Sequence, residues 1–169
     1  MWLGVSLAAL VALTLIWLEP QRLLYDQRVD EPVPTAAPQQ VPKGGATRTD
    51  GAGLAELASG TFISREHATH GTARVLRLTD NREVVRLEGF GTSNGPELVV
   101  WLSKNRAGGP RAAFDDAHVD LGPLKGNIGS QNYPVPAGAD TASYASVVVW
   151  CARFHVPFGA ADLTHVPER

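Results

Sequence analysis

Beyond residue 60, apolar residues come in short runs broken by glycine, proline and asparagine, and no long segment keeps a helical spacing. A helix needs apolar side chains at i, i+3, i+4 and i+7, whereas a strand needs only alternation or a short unbroken run. "TARVLRL" (72–78) and "REVVRLEGF" (82–90) flank "TDN", where Asp80 and Asn81 tolerate the left-handed geometry of a hairpin. "ELVVWLS" (97–103) reads as a strand buried on both faces. "AHVDLG" (117–122) and "QNYPVP" (131–136) give two shorter strands, and Pro134 and Pro136 restrict the second to an edge or a bulge. "ASVVVWCARF" (145–154) is the strongest strand, and Asp140 is expected to cap one turn just before it. Many short strands with Gly/Pro turns predict an all-β fold, a single β-sandwich or barrel-like domain over 60–166.

The front of the chain differs in kind. Residues 2–18, "WLGVSLAALVALTLIWL", carry no charge and would span roughly 25 Å as a helix, near the ~30 Å of a hydrocarbon core. Trp2 and Trp17 lie near its ends, where indole rings favour the headgroup level. A cleaved signal peptide would be followed by small residues; "EPQRLLYDQRVDE" follows instead. Residues 1–19 are therefore expected to be a transmembrane helix. Residues 20–59 are expected to be a juxtamembrane segment and a Pro/Gly-rich flexible linker, with Leu54 and Leu57 alone hinting at docking. The expected location is the cell membrane, single-pass, with the bilayer as partner and the domain extracytoplasmic. Arg22 and Arg28 follow the apolar run and no Lys or Arg precedes it. Read literally, the positive-inside rule argues the other way, and outward orientation calls for a basic stretch upstream of Met1.

Composition excludes several functions. A formal charge of −2 and no Lys/Arg run argue against a nucleic-acid partner and a polybasic lipid patch. No C-x-x-C exists for dithiol exchange and no C-x-x-C-H for covalent haem. "GFGTSNG" (89–95) lacks dinucleotide-fingerprint spacing, and "REHATH" (65–70) places its glutamate before the first histidine, unlike a zinc-protease helix. Blue copper usually adds an axial Met, and the only Met is Met1. No metal site is assigned.

One chemically distinctive side chain remains, the single cysteine Cys151. Unbonded cysteines are commonly buried as small hydrophobes, so packing is one reading. Alternation puts Val147, Val149, Cys151 and Arg153 on one face, where a guanidinium would favour thiolate. Trp150 lies on the other face and could relay an electron only if that face reaches the surface. On a straight strand His155 would stand roughly 13 Å from Cys151, too far to share a metal with it. Imidazoles from elsewhere in the chain are His67, His70 and His118.

"GTFISREHATHGTARV", "VVRLEGFGTSNGPELVVWLS", "VDLGPLKGNIGSQNYPVP" and "YASVVVWCARFHVPFGAADL" together resemble the DM13 domain family across nearly the whole domain. The resemblance implies an all-β fold and an electron-transfer or redox role, with Cys151 as the candidate redox thiol. It also implies an electron-transfer or accessory domain rather than a stand-alone enzyme. His67 falls where the family often has a histidine and is a candidate cofactor-binding residue, whereas His70 and His155 depart from the pattern. The cofactor is left open: a haem or metal held through Cys151 is compatible, but no motif specifies one. Asp120, Lys125, Asn127, Gln131, Tyr133 and Trp150 complete the motif residues. Glycines and amides of that loop can fix turns, or the loop can form a site wall; Asp120 and Lys125 are candidates for an ion pair. The leading expectation is a membrane-tethered redox domain acting on a redox or cell-envelope protein. The alternative is a non-enzymatic binding or adhesion module with Cys151 as core packing; a lipid- or envelope-binding accessory factor is a third.

Overall fold

The computed structural model describes residues 25–35 and 54–167. The expected anchor over 1–19 and most of the linker lie outside them. Among the described residues no helix is long and apolar enough to cross a membrane.

Ten strands follow one another among the described residues: β1 (Arg28–Asp30), β2 (Ala55–Ser64), β3 (Thr69–Arg77), β4 (Glu83–Thr92), β5 (Leu98–Ser103), β6 (His118–Pro123), β7 (Ile128–Pro134), β8 (Ser146–Cys151), β9 (Val156–Asp162) and β10 (Thr164–His165). They form one sheet in the order β1-β7-β4-β3-β2-β9-β8-β5-β6, with β10 on β2, curled into a half-barrel. The fold is all-β. Of the two expected shapes it is the barrel-like one, because β2 belongs to both halves. Its Ala55–Thr61 part pairs with β3, and Phe62–Ser64 pair with β9. Gly60 stands where the halves diverge, and a Cβ there would strike the Asp162 carbonyl. Curling brings the inner faces together, so Val75, Val85, Leu87, Phe90, Val100, Leu102, Val147, Val149 and Cys151 share one core.

β8 is buried at all six positions. Its inward residues enter the main core. Its outward residues Val148 and Trp150 join Trp101, Ala160, Phe114 and Ala107 in a second layer, roofed in part by a 3-10 turn over Arg111–Asp115. That double cover explains the unbroken Val-Val-Val-Trp-Cys run. The β3–β4 turn places Asn81 at φ 64°, and the Asp140 carboxylate accepts from the Ala142 amide, both as expected.

Two expectations are corrected. The strongest strand stops at Cys151, since residues 152–155 make a turn with His155 at φ 53°; Arg153 and Phe154 are exposed and belong to that turn, where strand alternation no longer applies. The straight-strand distance to His155 therefore does not apply; His155 instead turns toward Trp150 on the other face. β1 runs parallel along Ile128–Ser130 of β7 only, so the Pro134 end pairs with β4 alone and is an edge, as expected. The folded part also begins earlier than residue 60: residues 25–35 lie on the domain and 55–59 belong to β2. Strands β1, β2, β9 and β10 were not anticipated.

Candidate functional site

Cys151 ends β8 with no solvent exposure, opposite Leu98 of β5 and Val156 of β9. Its Sγ donates to the Pro96 carbonyl at 3.1 Å. Pro96 belongs to the 93–97 loop, which closes over the thiol just before β5. The loop is fastened at several points. The Ala152 amide donates to the Glu97 carbonyl at 3.0 Å; the Asn94 side-chain amide donates to the Tyr25 carbonyl at 3.0 Å; Ser93 Oγ meets His67 Nδ1 at 2.8 Å. Glu97 takes φ 54°, left-handed backbone that a non-glycine residue adopts at a cost of about 1 kcal/mol or more. Gly95 is required beneath it, since a Cβ would press on Phe158 and Leu98.

His67 lies on the other side of this loop. Its ring stacks on Phe158 with centroids 3.7 Å apart and planes 25° apart. The structure thus brings Cys151 and His67 to one loop, the thiol bonded to Pro96 and the imidazole to Ser93. The expected help from Arg153 is absent: its guanidinium sits 3.9 Å from the Glu97 carboxylate, both more than half exposed.

The 120–133 motif does something else. Asp120 accepts from the Gly122 amide at 2.8 Å rather than pairing with Lys125. Lys125 reaches the Glu31 carboxylate at 2.7 and 3.0 Å and the Asn132 carbonyl at 2.7 Å. Asn127 accepts from the Gln27 amide at 2.7 Å and donates to Asp26 at 2.8 Å and to the Thr92 carbonyl at 3.0 Å. Gln131 bonds both backbone groups of Gly126, and the Tyr133 hydroxyl donates to Gln131 at 2.7 Å while accepting from the Lys125 amide at 3.1 Å. Burial pushes the Tyr133 pKa well above its ordinary range. A Cβ at Gly126 or Gly129 would meet the carbonyls of Gln27 and Val29. The motif is a seat for the front strand, and one wall of it adjoins the loop over Cys151 through Thr92.

Arg86, buried, completes the seat: its Nη1 donates to the carbonyls of Glu31 and Pro32 at 3.2 and 3.1 Å and to Asn132 Oδ1 at 2.8 Å. Burial works against the Glu31 carboxylate, but Lys125, the Asn132 amide and Arg86 outweigh it and hold its pKa below the ordinary value. Glu88 is likewise held low against burial, by Arg86 and Arg74. The sequence reading of 20–59 as a juxtamembrane segment and flexible linker missed Asp26, Gln27 and Glu31. The signal available was "VDE" directly ahead of Pro32.

Trp150 faces away from Cys151, into the second layer. Its ring stacks on Trp101 at 4.8 Å and 24°, and Trp101 stacks on His118 at 3.7 Å and 11°. His155 meets the other side of Trp150 edge-on at 6.4 Å. Trp101 and His118 were not singled out together by the sequence.

The surroundings of Cys151 do not fit a haem or metal in this conformation. The sulfur is packed in the main core and bonded to a backbone carbonyl, and no group of three or more His, Cys, Asp or Glu among the described residues could hold a metal ion. His67 is committed to Ser93 and Phe158.

An all-β half-barrel with one sealed thiol and no second cysteine belongs to the class of small single-thiol β-domains. Residues 61–163 match the family model described as electron transfer DM13, so the chain belongs to the DM13 family. No curated protein and no solved structure matches the chain.

Proposed function

We propose that this chain is a membrane-tethered, extracytoplasmic electron-transfer module in which Cys151 is the redox centre and the 93–97 loop its cover. The observation that carries the reading is the fastening of the thiol under a left-handed, polar-latched loop in a family described by electron transfer. The thiol has apolar core neighbours, but the loop that supplies its acceptor is held by polar contacts of His67, Asn94 and Ala152, which packing alone does not call for. When the loop lifts, the thiol loses its proton to solvent and attacks a disulfide of a redox or cell-envelope protein. One S–S bond forms, one breaks, and the partner's released thiolate carries the electron pair away.

Tethering is supported by the uncharged 2–18 run followed by a docked segment beginning at Tyr25. Six residues, 19–24, separate the two. Fully extended they reach at most ~20 Å, which would keep the β7 side of the domain next to the bilayer.

The competing reading, a binding or adhesion module with Cys151 as core, draws on the complete burial of the sulfur. Alkylation of the full chain in lipid nanodiscs separates them. Opening of the cover predicts slow but complete labelling in the absence of denaturant, at a rate that rises in N94A. Labelling that proceeds only through global unfolding, with N94A unchanged, would make the cysteine core packing.

A further inference from the structure

We infer that the aromatic column His118–Trp101–Trp150–His155 on the outer face of the curled sheet is a one-electron conduit. It rests on the electron-transfer reading but not on Cys151. Four residues from four segments, β6, β5, β8 and the β8–β9 turn, are brought into one file. Ring centroids are 3.7, 4.8 and 6.4 Å apart in succession. Both indoles are buried, Trp101 at 6% exposure and Trp150 at 1%, and Phe114 flanks Trp150 at 6.3 Å. The ends open outward: His118 is half-buried, and the His155 side chain is 71% exposed beside Asp115. The column thus runs from solvent to solvent through a dry middle.

A hydrophobic layer alone does not account for one feature. The Trp101 Nε1–H is buried with no hydrogen-bond partner, and a buried donor left unpaired costs about 1–3 kcal/mol. For an electron relay the absence has a use. An indole that loses an electron becomes strongly acidic, and an acceptor at Nε1 would take the proton and trap the charge. Without one, oxidised Trp101 stays a radical cation and is refilled unchanged.

The step is written with electrons only. A strong one-electron oxidant of the ferryl-haem class, carried by a partner docked at His118, takes one electron from Trp101. Trp150 refills Trp101. A one-electron reductant, an iron or copper centre of a second partner at the His155 end, refills Trp150. No bond breaks, no proton moves, and the oxidant gains the electron that the reductant lost.

Asp120 is exposed and pairs with Trp101 across β5 and β6, so a D120C variant places a ruthenium photo-oxidant beside the column. In the full chain carrying C151A, an H155Y substitution supplies a terminal trap whose tyrosyl radical is distinct by transient absorption; its phenolic proton passes to water. Flash-quench oxidation is expected to produce that radical in H155Y. Replacing either indole (W101F or W150F) should slow its formation at least ~10-fold, a difference of about 1.4 kcal/mol in barrier. R153Y, in the same turn but off the column, should be oxidised at least ~10-fold more slowly than H155Y, a comparison that leaves both indoles in place. Equal rates in H155Y and R153Y, or no effect of the Trp→Phe changes in folded protein, would overturn the conduit. Because Cys151 is absent from this experiment, that failure would leave the thiol reading intact.

Discussion

Cys151 and Trp150 are neighbours in the chain and belong to different regions. Cys151 points into the main core beneath a loop that the front strand helps to hold. Trp150 points into the outer layer, stacked on Trp101 and met edge-on by His155. Alternation along a strand is the cause: successive side chains leave opposite faces, so a curled sheet can keep two chemistries one residue apart. The difference teaches that the thiol side is governed by a polar latch and the tryptophan side by ring packing. The two should therefore respond to different perturbations.

The largest effect is expected where packing dominates. Trp150→Ala should cost about 3–5 kcal/mol and Cys151→Ala only about 1 kcal/mol, the latter being a methyl-sized void. Chemical denaturation with matched m-values checks this. Equal losses would mean that the thiol is as structural as the indole.

Next comes the latch. Gly129 has φ +112°, and a Cβ there would meet the Val29 carbonyl of β1. Gly129→Ala should cost about 1–3 kcal/mol and unseat 25–32. Alkylation of Cys151 should then accelerate while the near-ultraviolet signal of the Trp pair stays in place. Acceleration without protease sensitivity in 25–32 would break the proposed link between front strand and loop.

The smallest effect is electrostatic. Glu31 has its folded pKa lowered from an ordinary 4.5, so its contribution is fully present above that value and is lost as pH falls through the lowered one. Glu31→Gln should cost about 1 kcal/mol at neutral pH and flatten this acid dependence. Hydrogen exchange of the Glu31 amide, which donates to the Ser130 carbonyl at 2.7 Å, reports it directly.

Much of the sheet was legible from local pattern. The 72–78 and 82–90 runs with Asp80-Asn81 between them gave a hairpin, and Val147–Val149 gave a buried strand, because hairpins and burial leave local marks. β1 and β2 were not legible. Glu31 lies ahead of prolines, and 55–59 carry alanine and serine; neither has the apolar density of a strand, and both are held by partners far along the chain. The lysine and amides of 125–133 were singled out by motif, yet their partners Asp26, Gln27 and Glu31 lie about a hundred residues away. In the aromatic layer the sequence offered Trp150 alone. Trp101 and His118 share no spacing with it, since their meeting depends on β5 lying between β8 and β6, and His155 reaches it only through the turn that follows β8.

By itself the sequence determined the all-β class, the hairpin, the single thiol and its lack of a dithiol partner, because these follow from composition and period. The tertiary structure decided which loop covers that thiol, that the front strand completes β7, and that the outer rings stand in file. Strand order and register bring those groups together, and a one-dimensional pattern fixes which face a residue occupies but not which strand will lie beside it.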